Sequence, residues 1–273
     1  MIRRFNRYEL KYVLPSWKCD AIIADLAEMT TPDVHDRSRG YRIVSLYYDS
    51  PGLDFFWAKI DGIKFRRKLR LRLYPDENDI ERTERGMVEI KQRINRTVQK
   101  RRLELPLAQA EQLCSGSVDT KELDELDQEV ASEVQYLVHA MHLRPSAITS
   151  YLRRAFVGNR YDSGLRITFD SDFVGRTHAL RVHQNSANHR IMPPEWSIME
   201  VKSDDAVPDW VTSLLSRHEC QLQRVSKYCA TVSMLANLDV APLSCPSSES
   251  VAPAAPAAEP AHERTAEGTR EDG

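Results

Sequence analysis

Between Arg7 and Val13 the chain alternates with a period of two: Arg7, Glu9 and Lys11 share one side, and Tyr8, Leu10 and Tyr12 the other. Alternation of this kind predicts a β-strand with two distinct faces. It recurs along the chain. Arg66, Lys68, Arg70 and Arg72 oppose Arg67, Leu69, Leu71 and Leu73, while Glu89, Lys91 and Arg93 oppose Val88 and Ile90. Lys100, Arg102 and Glu104 then oppose Leu103 and Leu105, and Tyr151 and Arg153 flank Leu152. Further on, Arg166 and Asp170 oppose Leu165, Ile167 and Phe169, and Glu200 and Lys202 oppose Met199 and Val201. Nearly every strand so predicted has one apolar face and one densely charged face.

Helical stretches separate these strands: Ser16 to Met29, Leu53 to Ile60, Leu107 to Cys114, Leu126 to His142, Pro208 to Glu219 and Ser226 to Leu238. Ser16 is placed to cap the first, and Pro208 falls near the first turn of the fifth. From about residue 241 the chain becomes rich in Ala, Pro, Ser and Glu and almost lacks large apolar residues. Such a segment cannot bury enough surface to offset its ordering entropy, so residues 241–273 read as a disordered tail and 1–240 as one domain.

An antiparallel sheet can turn its charged face to water. Recurrence over many strands, with helices on hand to cover the apolar faces, argues otherwise. If helices pack outside, the charged faces line an interior. The class predicted is therefore α+β, an antiparallel eight-stranded β-tunnel, closed or nearly closed, with helices packed outside. Cations facing one another across a tunnel repel unless an anion lies between them, and a linear run of phosphates matches Arg forks and Lys point charges alike. The inward carboxylates Glu9, Glu89, Asp170 and Glu200 are then salt-bridge partners or ligands for Mg²⁺ or Mn²⁺. The competing reading of the strand Lys64 to Arg72, six cations and no acid, is a solvated edge that deters aggregation. For Glu200 and Lys202 it is a structural ion pair, and for Tyr151 and Ser226 packing and helix capping.

Composition limits the alternatives. The 273 residues are 41% hydrophobic, enough for a core, and 38 Lys and Arg nearly balance 40 Asp and Glu. Charge clustering, not net charge, must therefore identify any anionic partner. Five scattered cysteines without a Cys-x-x-Cys pair argue against a zinc site or a disulfide framework. No apolar run reaches the length of a membrane span or a signal sequence, so the chain reads as soluble and cytoplasmic, with no membrane segment of its own. His178, His183 and His189 lack metal-motif spacing. Neither a Walker A string nor a Gly-x-Gly-x-x-Gly turn is present, and Tyr8, Tyr12 and Phe169 fall opposite the cations, against nucleic-acid binding.

The strings FNRYELKYVL, SLYYDSP, AKIDG, RRKLRLRLY, VEIKQR, QKRR, SYLRRAF, LRITFD, IMEVKSD and RVSKY, in that order and reaching about Leu238, resemble the VTC-type polyphosphate polymerase domain. This is a branch of the triphosphate tunnel metalloenzyme, or CYTH-like, superfamily. The resemblance implies a metal-dependent phosphotransferase that moves the γ-phosphate of a nucleoside triphosphate, ATP for preference, onto inorganic polyphosphate. It implies Arg70, Arg72, Lys91, Arg153 and Lys202 at the reacting phosphates. Arg7, Lys11, Lys100, Arg102, Tyr151, Arg166, Arg224, Ser226 and Lys227 would hold the rest, and Glu200, with Glu9 and Glu89, would bind Mn²⁺ or Mg²⁺. Where the hydrolytic branch opens with Glu-x-Glu-x-Lys, this chain has Arg7, Glu9 and Lys11. That exchange of a carboxylate for a cation tilts the implication from hydrolysis towards polymer handling. A metal-dependent triphosphatase and a non-catalytic polyphosphate-binding module are the rival readings, and a membrane partner receiving the product is compatible with all of this.

Overall fold

The computed structural model describes residues 4–5, 7–36, 40–75, 83–95, 97–118, 123–184, 186–204 and 206–240; of residues 4, 5 and 7 the backbone alone is described. The expected tail from residue 241 lies outside the described residues. The chain opens with β1 (Arg4–Phe5), β2 (Arg7–Pro15), α1 (Ser16–Leu26), β3 (Thr30–Pro32), β4 (Tyr41–Asp49) and α2 (Asp54–Ile60). There follow β5 (Phe65–Leu73), β6 (Arg85–Ile94), β7 (Thr97–Pro106), α3 (Leu107–Cys114) and α4 (Glu125–Ala140). It ends with β8 (Arg144–Gly158), β9 (Arg166–Arg176), β10 (His189–Arg190), β11 (Trp196–Asp204), α5 (Asp209–Arg217) and α6 (Lys227–Leu235).

All eleven strands join one antiparallel sheet in the order β1-β7-β6-β5-β4-β8-β9-β11-β2, with β10 on β9 and β3 on β8. The expected eight strands are thus too few, and no ladder among the described residues closes the sheet into a barrel. It curls all the same. Lys91 Nζ on β6 reaches both carboxylate oxygens of Glu9 on β2, at 2.7 and 2.9 Å, although these strands lie near opposite ends of the ladder path. β1 and β2, the two ends of that path, are also consecutive in the chain. Strand β4 escaped the alternation reading because Ile43 to Asp49 are buried on both faces.

The apolar faces take helices as expected on two sides. Leu69, Leu71, Leu73, Val88, Ile90, Leu103 and Leu105 pack under α3 and α4 with Leu113, Val134 and Leu137. On the other side Tyr12, Leu14, Ile167, Phe169, Met199 and Val201 meet Ile22 and Leu26 of α1 and Val211 and Leu214 of α5. Not every helix lies outside, which corrects the expectation. α6 sits on the inner face, with Val225 and Ala230 against Val13, Ile43, Tyr151, Phe173 and Ile198. α2 straddles the sheet end: Phe55 enters the outer core, while Phe56 joins Tyr47, Ala147 and Tyr228 inside. The inner face is therefore part apolar plug and part charged trough. Strand alternation cannot reveal this, because the covering element is a helix far along the chain.

Helix ends also differ in detail. Pro15 and not Ser16 is the N-cap of α1, and the Ser16 amide instead donates to the Glu195 carbonyl at 2.7 Å. Pro208 is the N-cap of α5, next to its first turn as expected. Among the described residues no helix is long and apolar enough to cross a membrane.

Candidate active site

The ladder registers set every inward side chain. Tyr47 pairs with Arg70, Arg70 with Glu89 and Glu89 with Arg102 across β4, β5, β6 and β7. Lys68 pairs with Lys91 and Lys91 with Lys100 in the next row. On the other half Lys11 pairs with Glu200, Glu9 with Lys202 and Arg153 with Asp170. Directly paired residues of antiparallel neighbours share a face, so these rows form one wall.

Glu89 is the hub of one half. Its side chain is 1% exposed and meets Arg70 Nε at 2.6 Å, Arg102 Nη2 at 2.8 Å, Arg72 Nε at 3.8 Å and, in a short contact, Lys100. Burial pushes the carboxyl up, but Arg70, Arg72, Lys100 and Arg102 outweigh it and hold it well below the usual range. Asp170 plays the same part in the other half. Arg153 grips it with two hydrogen bonds of 2.6 and 2.7 Å and Lys227 with one of 2.6 Å. Here too burial is outweighed, and the pKa falls. Tyr151 lies beside both cations: Lys227 Nζ is 4.5 Å and the Arg153 guanidinium 5.3 Å from its ring centre. Its hydroxyl accepts from Arg72 Nη2 at 3.4 Å.

Glu200 and Glu9 differ, because among the described residues only lysines engage them. Glu200 meets Lys11 at 3.1 Å and Lys202 at 3.0 Å, and Glu9 meets Lys91. In the β2–β11 ladder Glu9 pairs with Lys202 and Glu200 with Lys11, so the two carboxylates are diagonal neighbours and repel each other. Burial raises the Glu9 pKa, yet Lys91, Lys11 and Lys202 bring it to about 2. Burial likewise pushes Lys202 down to about 8 against the pull of Glu200. Lys100 is pushed down to about 7 by burial and by Arg70 and Arg102, with Glu89 opposing.

The expected metal ligands Glu200, Glu9 and Glu89 are not brought together, and among the described residues no group of three His, Cys, Asp or Glu could hold a metal ion. Glu89 is already engaged by four cations, which sets it apart from the other two. The adjacent pair Glu9 and Glu200 remains, and one or two carboxylates completed by phosphate oxygens and water is the donor set Mg²⁺ or Mn²⁺ accepts.

Of the other expected residues, Arg166 bonds Asp33 at 2.7 Å and the Tyr41 hydroxyl at 3.1 Å. Ser226 caps α6 by accepting from the Cys229 amide, as the bland reading had it, and it also accepts from Lys68 Nζ at 2.7 Å. Arg224 is exposed and has no ion pair among the described residues. Arg7 begins β2, opposite Asp204, but its side chain lies outside the described residues.

Several participants were missed. Tyr47 stacks on Tyr228 and accepts from Arg70 at 3.2 Å; burial raises its pKa, but Arg70, Arg72 and Lys68 bring it to about 8. Lys68 was on the inward face by parity and was passed over. Lys59 of α2, pushed down to about 8 by burial and then by Lys68 and Arg66, had no signal in the sequence, since only the fold turns it toward β5. Lys59 and Arg66 make no ion pair among the described residues.

No curated relative matches the sequence. Solved structures with a similar fold include the PH1819 protein of Pyrococcus horikoshii OT3, with TM-score 0.43, 13% identity, and 85% of this chain and 99% of that one covered. A candidate adenylate cyclase of Bacillus halodurans gives TM-score 0.46 and 9% identity over 82% of this chain and 95% of that one. The Schizosaccharomyces pombe Mediator head module gives 0.45 and 14% over 80% and 98%. At such scores these likenesses carry no argument about function. The decisive match is with the family model of the VTC domain, over residues 6–236, which spans both the charged trough and the helix that plugs it: the chain belongs to the VTC domain family.

Proposed function

We propose that the protein polymerises inorganic polyphosphate, transferring the γ-phosphoryl group of a nucleoside triphosphate onto the end of a phosphate chain held in the trough. Family membership supports a polyphosphate-related or triphosphate-binding role. The observation that carries the reading is the imbalance of the inner wall. Glu89, Asp170 and Glu200 are each shared by two or more cations, and Lys59, Arg66 and Arg224 have no carboxylate partner among the described residues. A cationic cavity of this kind is stabilised by a polyanion.

In the proposed reaction the terminal oxygen of the acceptor chain attacks the γ-phosphorus in line. A new P–O bond forms, the bond to the bridging β,γ-oxygen breaks, and its electron pair leaves on the nucleoside diphosphate. No protein nucleophile is required, because positioning and charge stabilisation carry most of phosphoryl transfer. Arg70, Arg72 and Arg153 have guanidinium faces fixed by Glu89 and Asp170, and they stabilise equatorial oxygens. Lys11, Lys91, Lys202 and Lys227 neutralise neighbouring phosphates. Glu200 and Glu9 would hold Mn²⁺ or Mg²⁺, which when bound offsets charge on the phosphates.

Incubation with ATP and Mn²⁺ or Mg²⁺, resolving long phosphate chains on gels and free phosphate separately, tests this alongside Glu200→Gln. Long chains that vanish in the variant are expected. Free phosphate alone would make the protein a triphosphatase, and tight polyphosphate binding with neither product would make it a binding module.

A further inference from the structure

One mouth of the trough is built differently from the rest of the wall. Tyr41, at the start of β4, stands opposite Arg153 in the ladder, and Tyr74 lies just beyond the end of β5, two residues from Arg72 and on the same inward parity. Their ring centres are 6.2 Å apart and tilted by 43°. His35 adds a third ring, edge-on to Tyr41 at 6.3 Å. Tyr74 is 37% exposed, and His35 is exposed too. Other inward aromatics among the described residues, Tyr47, Phe56, Tyr151, Phe173 and Tyr228, are buried and engaged within the wall. Open rings on the inner face thus gather at this mouth.

The rim is fixed and does not hang loose. Arg166, anchored on Asp33, donates to the Tyr41 hydroxyl. The Asp33 carboxylate accepts from the His35 amide at 3.1 Å, and its own amide donates to the Ala155 carbonyl at 2.8 Å. Asp36 accepts from the amides of Gly40 and Ala155 at 3.0 and 2.9 Å. Gly40, at φ +82°, passes so close to β8 that a Cβ there would lie 2.6 Å from the Arg153 carbonyl oxygen. The chain therefore enters β4 tightly against the strand that carries Arg153.

Phosphate chains gain nothing from a ring face. A nucleotide gains from both halves of this arrangement, since its base stacks on aromatic rings while its phosphates reach the Arg72, Arg153 and Arg166 side chains just inside. We infer that Tyr41, Tyr74 and His35 form a stacking site for the base of the donor nucleotide. The inference rests on the proposed phosphotransfer reading and gives the trough a polarity. Nucleotide enters at the aromatic rim, and the phosphate chain occupies the stretch toward Lys68, Arg66 and Lys59.

Titration calorimetry of the full chain with the β,γ-imido analogue of ATP and with inorganic tripolyphosphate tests the site. Tyr74→Ala is expected to weaken the nucleotide analogue about tenfold, within what one stacked base contributes, and to leave tripolyphosphate unchanged. Tyr74→Phe, which keeps the ring, restores nucleotide affinity. Equal loss of both ligands in Tyr74→Ala, or no loss of either, overturns the stacking site and leaves the phosphotransfer reading standing. A wild-type protein that binds neither ligand overturns both.

Discussion

The buried carboxylates of the trough fall into two kinds. Glu89 and Asp170 are held by arginine forks, Arg70 and Arg102 on the first and Arg153 on the second. Glu200 and Glu9 are held, among the described residues, only by lysines. An arginine fork fixes geometry through paired, planar hydrogen bonds, whereas an ammonium is a point charge on a flexible stem and can let go. The forked carboxylates are architecture: they aim guanidinium groups into the trough. The lysine-paired ones can exchange a lysine for a metal ion or release that lysine to a phosphate. The distinction makes predictions about both stability and activity.

The largest effect should come from Asp170→Asn. It leaves Arg153 and Lys227 facing one another without their shared anion, and removing one partner of a buried pair costs about 3–5 kcal/mol. Urea unfolding should show it as a lower midpoint at unchanged slope, with Glu89→Gln close behind. Glu200→Gln is expected to lose polymer synthesis by about 10²-fold or more, the scale of removing one preorganised electrostatic contact, while its urea midpoint moves less than that of Asp170→Asn. Equal destabilisation by the two variants would erase the distinction.

pH separates the carboxylates from one of their lysines. The pKa values of Glu9, Glu89, Asp170 and Glu200 are lowered by their cations, so their contribution to stability is complete above the ordinary carboxylate range and is lost as pH falls through the folded values, for Glu9 from 4.5 towards about 2. Lys202 behaves oppositely. Its folded pKa of about 8 lies below the ordinary 10.5, so between those values the unfolded chain holds a proton the folded one has shed, and this group's term rises with pH. In the proposed reading polyphosphate binding uses the charged lysine, so affinity should fall as pH rises from 7 to 9. Lys202→Arg should flatten that fall, as measured by polyphosphate titrations across the range.

Much of this was legible in the chain because a two-residue period survives wherever a strand is covered on one side only. Lys11, Arg70, Arg72, Arg102, Arg153, Lys202 and Glu200 all face inward as the alternation places them. β4 was not legible that way, being buried on both faces, and neither was the inner position of α6, which depends on Tyr228 reaching Tyr47 and donating to Asp49 at 2.6 Å from 179 residues away. The surroundings of Glu89 were hidden for a related reason. Spacing shows that a carboxylate points inward, but only the curled sheet shows that four cations already occupy it.

Lys59 offers the smallest effect and a contrast of sign. It sits at the end of α2, where burial, Lys68 and Arg66 all push its pKa down, and it has no carboxylate among the described residues. In the free protein its charge is a liability, so Lys59→Gln should raise stability slightly, by about 0.5 kcal/mol, the scale of partly exposed charge pairs. With polyphosphate present the same charge is an asset, and the variant should bind the polymer about twofold to threefold more weakly, with a shallower dependence of affinity on salt. Cations that merely decorate a surface would show neither change. A substitution that moves stability and affinity in opposite directions is the mark of a side chain placed for an anion that the folded protein does not itself contain.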